Sequence, residues 1–191
     1  LLNASKSITE QCAEEINYIL KKEEDFKLIQ KLISENKIPL RVCHNDPKIS
    51  NFLFTDKKSA ICLIDLDTVM PGTILTDIAD AIRTICVSES EEETDLKKVY
   101  FRYDYFELFI VSYLNVNGHN LNKYELQNII KSIELIFLEQ GIRFLTDYLK
   151  SNKYFKVTYP EQNLVRAKNQ LHLAKEISLN LYKMEKTIIN Y

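Results

Sequence analysis

The sequence predicts a mainly α-helical fold of the α+β class, in which a helical body carries a small β-hairpin. Only three glycines and four prolines occur in 191 residues, fewer turn residues than a β-sandwich or a doubly wound α/β fold would need. Apolar residues recur at helical spacing through most of the chain, whereas β-type runs are confined to residues 40–64. The length suits one ordinary domain, so we expect residues 1–191 to form a single domain.

The composition is that of a soluble globular protein, with 46% hydrophobic and 27% charged residues. A net charge of -2 gives no reason to expect nucleic acid or a membrane surface as a partner. The four cysteines form no Cys-x-x-Cys pair, so we interpret them as four separate buried thiols. Reduced cysteines, no signal peptide and no long apolar run predict a cytoplasmic location.

Local patterns place the elements along the chain. Helical periodicity covers residues 5–20, 24–36, 76–86, 99–116, 123–150 and 163–189. Ser7 and Glu10 have the spacing of a capping box for the first of these helices. Short β-type runs cover residues 40–43, 52–54 and 60–64, and the last two form a hairpin. Pro71 and Gly72 predict a turn, and the Glu-rich residues 88–95 predict a solvated acidic loop.

Two polar phrases border the predicted hairpin. The first runs from His44 through Asp46 to Asn51, and the second contains Asp65 and Asp67. A hairpin returns the chain to its start, so Asp65 at the end of its second strand should lie beside Asn51. Asp67 is two residues further on, and in an extended segment its side chain points the same way as that of Asp65.

These residue types suit a phosphoryl transfer. Asp46 could accept a hydrogen bond from a sugar or alcohol hydroxyl. Asn51 and Asp65 offer the hard oxygen ligands that Mg²⁺ prefers, and Asp67 could reach a second metal ion or the substrate. His44 is expected to orient the loop through hydrogen bonds. Either phrase alone more often caps a turn, but the two in this order favour catalysis.

The phrases resemble a known superfamily. The Asp-to-Asn spacing from Asp46 to Asn51 is also that of the protein-kinase catalytic loop. Followed by Ile-Asp-Leu-Asp-Thr, the motif resembles the aminoglycoside phosphotransferase and choline kinase superfamily, which has a protein-kinase-like fold. Four separated phrases further resemble the N-acetylhexosamine 1-kinases: residues 64–72, residues 77–83, residues 141–149 with 154–156, and residues 163–167 with 169–170.

This resemblance implies transfer of the ATP γ-phosphate to the anomeric hydroxyl of N-acetylglucosamine or N-acetylgalactosamine. It implies that Asp46 is the catalytic base and that Mg²⁺ is held by Asn51 and Asp65. An arginine and a tyrosine contact the sugar in those kinases, and Arg143 and Tyr154 stand at the matching positions. Asp77 matches an aspartate that supports the metal loop, and Lys48 is a weaker candidate for phosphate binding.

The chain departs from the family pattern before His44. Those kinases have an N-terminal lobe with a phosphate-covering loop and a lysine that pairs the phosphates. This sequence contains no glycine-rich loop and no lysine on a strand before His44. We therefore expect a C-terminal lobe without the nucleotide lobe, which alone binds ATP poorly and turns over negligibly.

Three other functions stay open. Asp65-Leu66-Asp67 also resembles the Asp-x-Asp motif of haloacid-dehalogenase-type phosphatases, but that fold needs repeated β-α units after the motif. A degenerate kinase lobe that only binds a sugar or a partner would keep the fold without catalysis. A kinase could also use a different acceptor, such as choline, homoserine or an aminoglycoside.

Overall fold

A computed structural model describes residues 10–57 and 59–189. Within these ranges the helices are α1 (Ala13–Lys21), α2 (Glu23–Ser34), α3 (Ile74–Ile85), α4 (Tyr103–Asn117), α5 (Lys123–Leu149), α6 (Gln162–Leu179) and α7 (Leu181–Ile189). The strands are β1 (Arg41–Cys43), β2 (Phe52–Phe54), β3 (Ala60–Leu63) and β4 (Met70–Gly72). The predicted class, a mainly helical body with small antiparallel sheets, is confirmed. The capping box expected at Ser7 lies outside the described residues.

Helix α5 is the centre of the helical body. It spans 27 residues and packs along α6 on one side and against α3 on another. It begins as the sequence predicts, because Asn122 and Glu125 form a capping box. Close approach of α5 to α6 requires Gly141, since a Cβ there would come within 2.8 Å of the Leu171 side chain. These contacts make α5 the support on which α3 rests.

Two separate two-stranded sheets carry the polar phrases. Strands β2 and β3 form the predicted hairpin, with Phe52 opposite Leu63. The predicted turn at Pro71 and Gly72 is wrong, because both residues belong to β4, which pairs antiparallel with β1. Proline is tolerated there because each strand of a two-stranded sheet is an edge strand.

Two predicted helices have different bounds in the structure. The helix expected over residues 99–116 begins only at Tyr103, because Phe101 instead forms a β-bridge with Val87. The helix expected over residues 163–189 is interrupted at Asn180, which separates α6 from α7. The side-chain amide of Asn180 donates to the Glu176 carbonyl oxygen. Such local bonding to the backbone competes with continuation of a helix.

The acidic residues 88–95 form a surface loop, as predicted, but this loop also makes specific contacts with a helix. Glu92 forms an ion pair with Arg166 and accepts a hydrogen bond from Gln162 Nε2 at 2.9 Å. The Ser90 carbonyl oxygen accepts one from Asn169 Nδ2 at 3.1 Å. All three of these partners lie on α6, so the acidic segment is fixed to that helix.

The cysteines are free thiols, as predicted, but they are not all buried. Cys12, Cys43 and Cys86 are buried, whereas Cys62 on β3 is exposed. Burial raises the pKa of the Cys43 thiol to about 11. Among the described residues, no helix is both long enough and apolar enough to cross a membrane.

Candidate active site

The loop after β1 is held at both ends by helix α3. The Asp77 carboxylate accepts the backbone N–H of His44 at 2.7 Å and that of Asn45 at 2.8 Å. Further along the same helix, Thr84 Oγ1 accepts the backbone N–H of Ile49 at 2.9 Å. Because α3 packs against α5, these bonds fix the loop to the rigid helical body.

The two oxygens of the Asp46 carboxylate have different surroundings. Oδ2 accepts from Lys48 Nζ at 2.5 Å and from Asn51 Nδ2 at 3.3 Å. Oδ1 accepts no hydrogen bond from residues 10–57 or 59–189. The hydrogen bond to Asp46 raises the pKa of Lys48, so the ammonium stays charged beside the carboxylate. Oδ1 is therefore the carboxylate oxygen that has no hydrogen-bond partner among the described residues.

Asn51 links this carboxylate to the end of the hairpin. Its side chain is buried, and Nδ2 donates to both the carbonyl and the carboxylate of Asp46. Its Oδ1 then accepts nothing from the described part of the chain. The Ile64 N–H donates to the Asn51 carbonyl oxygen at 2.9 Å, so Asp65 follows directly beside Asn51, as the hairpin predicted.

Asp65 and Asp67 complete the group. Asp65 has a left-handed backbone with φ of 66°, which turns the chain from β3 into a 3₁₀ turn at Leu66–Thr68. Both carboxylates are in exposed residues, and no ion pair or side-chain hydrogen bond engages them in the described ranges. Asp65 is also close enough to Lys48 to contribute to its raised pKa.

The donor set fits magnesium. Residues 10–57 and 59–189 contain no group of three or more His, Cys, Asp or Glu side chains that could hold a metal ion. The available atoms are one amide oxygen, on Asn51, and the carboxylates of Asp65 and Asp67. Mg²⁺ is commonly held by one or two carboxylates, with phosphates and water as the other ligands. A sparse, oxygen-only site of this kind is compatible with that requirement.

His44 is used to orient the loop. The Asp46 N–H donates to His44 Nδ1 at 3.3 Å, so the ring proton sits on Nε2, which donates to the Ile64 carbonyl oxygen at 3.0 Å. The side chain is buried. Since both ring nitrogens are engaged, His44 ties the loop to the end of β3 and has no nitrogen left for proton transfer.

Arg143 and Tyr154 line one cavity of about 380 Å³ at the end of α5. The Arg143 guanidinium lies over the Phe155 ring at 5.6 Å from its centroid, and the Tyr154 side chain is 74% exposed. The structure brings these two predicted residues together. It does not join them to Asp46 by any hydrogen bond or ion pair within the described ranges.

Two residues of this cavity were missed from the sequence. Asp147 is buried and accepts the backbone N–H groups of Lys153, Tyr154 and Phe155, all at 2.8 to 2.9 Å. It also accepts from Asn163 on α6 at 2.9 Å, so it shapes the cavity wall. Lys150 adds a second cation to the lining. In the sequence, Asp147 lies within the phrase 141–149 that resembles the N-acetylhexosamine 1-kinases, but no role was assigned to it.

The loop carboxylate, the amide beside it and the two carboxylates at the hairpin end are the residue types that a kinase-like phosphotransferase site uses. A family model described as the phosphotransferase enzyme family (APH) matches residues 6–107. This match covers more than half of the 191 residues, and the chain belongs to that family. It includes Asp46, Asn51, Asp65, Asp67 and Asp77. Arg143 and Tyr154 lie outside it.

Proposed function

We propose that this chain is the catalytic lobe of a small-molecule kinase that transfers the γ-phosphate of ATP to a sugar hydroxyl. The acceptor we favour is the anomeric hydroxyl of an N-acetylhexosamine. One observation carries the proposal. The Asp46 carboxylate is held through Oδ2 by Lys48 and Asn51, while Oδ1 accepts nothing from the described residues.

Asp46 would position the acceptor hydroxyl and take its proton as the new bond forms. Phosphoryl transfer needs little covalent help from a protein, so most of the rate comes from aiming the hydroxyl oxygen at the phosphorus. A carboxylate with one fixed and one free oxygen suits this task. The Lys48 ammonium, whose Nζ lies 2.5 Å from Oδ2, helps to hold the carboxylate in place.

Magnesium would be held by Asn51 and Asp65, with Asp67 as a further ligand or a substrate contact. When bound with ATP, the ion would neutralise charge on the phosphate oxygens. The hydrogen bond from Asn51 Nδ2 to the Asp46 carbonyl oxygen fixes the orientation of the Asn51 amide. In this orientation the amide oxygen would be available to the ion. His44 and Asp77 would act as supports of this arrangement.

The lining of the cavity beside Arg143 and Tyr154 favours a sugar as the acceptor rather than a positively charged molecule. It combines aromatic rings, suited to a sugar face, with the two cations Arg143 and Lys150. The one carboxylate in its lining, Asp147, is occupied by backbone N–H groups. Choline and aminoglycosides carry positive charge and would meet repulsion there.

The phosphatase alternative has little support. A haloacid-dehalogenase-type site places its Asp-x-Asp at the end of a strand in a parallel sheet with repeated β-α units. Here Asp65 follows a strand of an antiparallel hairpin, and both sheets within the described residues are antiparallel. A non-catalytic sugar-binding lobe would have the same fold, so only an activity assay distinguishes it from a kinase.

The deciding experiment is a substrate panel of hexosamines, other sugars and amino alcohols with ATP and Mg²⁺. It uses the chain as it stands and the chain extended by an N-terminal nucleotide lobe. With the preferred acceptor, Asp46→Asn should reduce kcat about 10²- to 10⁴-fold, because the base is lost. Asp56→Asn, at the exposed hairpin turn, is the matched control and should leave the rate unchanged.

Three results would contradict the proposal. Near-full activity of Asp46→Asn would remove Asp46 from the chemistry. Sugar binding without transfer in any form of the protein would favour the non-catalytic lobe. Phosphate release from a generic phosphoester, unaffected by Asp46→Asn, would favour the phosphatase.

A further inference from the structure

We infer that Asn45 is a positioning residue that sets the spacing between the base loop and the metal-side loop. The inference rests on the proposed function, because it concerns how Asp46 is placed relative to Asp65 and Asp67. Asn45 does not face the substrate in this role. It acts through the backbone of both loops.

The Asn45 side chain bridges two segments that are distant in sequence. Its Nδ2 donates to the Thr68 carbonyl oxygen at 3.0 Å and to the Met70 carbonyl oxygen at 3.3 Å. It also donates to the Cys43 carbonyl oxygen at 3.2 Å. Cys43 and Met70 are the last residue pair of the β1–β4 ladder. The Asn45 amide therefore continues that ladder beyond its end and into the turn that holds Asp67.

A second hydrogen bond runs in the opposite direction. Thr68 Oγ1 donates to the His44 carbonyl oxygen at 2.7 Å. The His44 carbonyl oxygen thus accepts from the Thr68 side chain, while the Asn45 side chain donates to the Thr68 carbonyl oxygen. Two such bonds of opposite direction restrict both sliding and separation of the loops. Asp46 is the next residue on one side, and Asp67 is the residue before Thr68 on the other.

The surroundings accommodate this particular side chain. Asn45 has a left-handed backbone with φ of 63°, a conformation that asparagine adopts more readily than most residues. Gly72 on β4 leaves the room for its amide group. A Cβ on Gly72 would clash with Asn45 Oδ1 and lie 3.2 Å from both Asn45 Cγ and Cys43 Cβ. The φ of Gly72 is not positive, so space is the reason for glycine at this position.

Asn45→Asp is the sharpest test, because aspartate has the same shape and tolerates the same backbone but has no N–H to donate. Hydrogen exchange on the chain as it stands should become about tenfold faster at residues 64–72, while α5 and α6 keep their protection. Gly72→Ala should give the same local pattern by displacing the amide. Asn36→Asp is the matched control, since Asn36 also has a positive φ, of 54°, and lies outside the site.

Kinetic measurements on the chain extended by a nucleotide lobe distinguish a positioning role of Asn45 from a purely structural one. Asn45→Asp should lower kcat about 10- to 100-fold, because small misplacement of reacting groups is costly. It should raise the Mg²⁺ concentration needed for half-maximal rate and leave the acceptor KM within about twofold.

Several outcomes would overturn the inference. If the hydrogen-exchange rate at residues 64–72 is the same in Asn45→Asp as in wild type, the Asn45 amide does not couple the two loops. Faster exchange throughout the helical body would show a general loss of stability instead. Local loosening with an unchanged kcat would remove the positioning role. If the chain extended by a nucleotide lobe, with Asn45 intact, is inactive with every acceptor, the proposed function fails while the exchange result still stands.

Discussion

At the residue scale, the arrangement around Asp46 depends on neighbours close in sequence. Lys48 and Asn51, which engage the carboxylate, follow it by two and five positions. Because these separations in sequence are short, the local backbone conformation of the loop largely determines both contacts with Asp46. What the loop does not supply is its orientation, which comes from Asp77 on α3.

The Asp46–Lys48 pair predicts a pH-dependent contribution to stability. The hydrogen bond to Asp46 raises the pKa of Lys48 above its ordinary value of 10.5. The pair therefore contributes fully below pH 10.5, and its contribution is lost as pH rises through the higher folded pKa. Both side chains are partly exposed, so we expect Lys48→Met to cost no more than about 1 kcal/mol at neutral pH.

Denaturant unfolding of wild type and Lys48→Met across the alkaline range checks this prediction. The difference between the two proteins should vanish at the highest pH. Lys57→Met, at the exposed hairpin turn, should match wild type throughout. A stability difference between wild type and Lys48→Met that grows as the pH rises would contradict the predicted direction.

The sequence allowed the proximity of some candidate site residues to be predicted, for a physical reason. Asp46, Asn51 and Asp65 form a pattern fixed by local spacing and by the return of a hairpin. The role of Asn45 could not be predicted, because its partners Thr68 and Met70 are 23 and 25 positions away. Those contacts exist only once β4 pairs with β1.

At the element scale, local signals predicted β1, β2, β3 and α5 to within one residue at each end but missed β4. Periodicity and the Asn122 cap predicted α5 over residues 123–150, one residue beyond its observed end. The same reasoning took Pro71 and Gly72 for a turn, because nothing nearby indicated pairing with β1. It predicted the acidic loop at residues 88–95 but not the contact that holds it, because Arg166 is 74 positions from Glu92.

Among the contacts between elements, those of Asp147 are predicted to contribute most to the free energy of unfolding. Its buried carboxylate accepts three backbone N–H groups of the loop after α5 and one side-chain N–H from α6. Asp147→Asn would place an N–H group among these donors and remove the charge. We expect a loss of about 2–4 kcal/mol in the free energy of unfolding.

Denaturant unfolding tests this prediction, with Asp104→Asn as the control. Asp104 is exposed in the first turn of α4, so that variant should change stability by no more than about 0.5 kcal/mol. If Asp147→Asn is as stable as wild type, the loop is held by other contacts. In the active protein, Asp147→Asn should also raise the acceptor KM, since Tyr154 depends on this carboxylate for its position.

At the scale of the whole molecule, apolar exposure is concentrated on one part of the chain. Large hydrophobic side chains are exposed at positions 40, 42, 49, 53, 54, 61, 64, 66, 69 and 70, which all lie in the segment that carries the two sheets. Val42 is 82% exposed. Exposed apolar patches on soluble proteins commonly mark interaction surfaces. The helical body has a large buried apolar core around α5, although Leu108, Val116 and Leu179 on its helices are also exposed.

We expect the 191-residue chain alone to bind ATP weakly and to transfer its phosphate at a negligible rate. The sequence has three glycines, at positions 72, 118 and 141, so no glycine-rich loop in it can cover the phosphates. Without such a cover, few donors would face the oxygens that gather charge during transfer. Titration with a fluorescent ATP analogue and Mg²⁺ measures the affinity, and an N-terminal extension that supplies a nucleotide lobe should increase it at least about tenfold. Robust ATP-dependent phosphorylation of a sugar by the 191 residues alone would contradict this expectation, because the described site would then complete the reaction unaided.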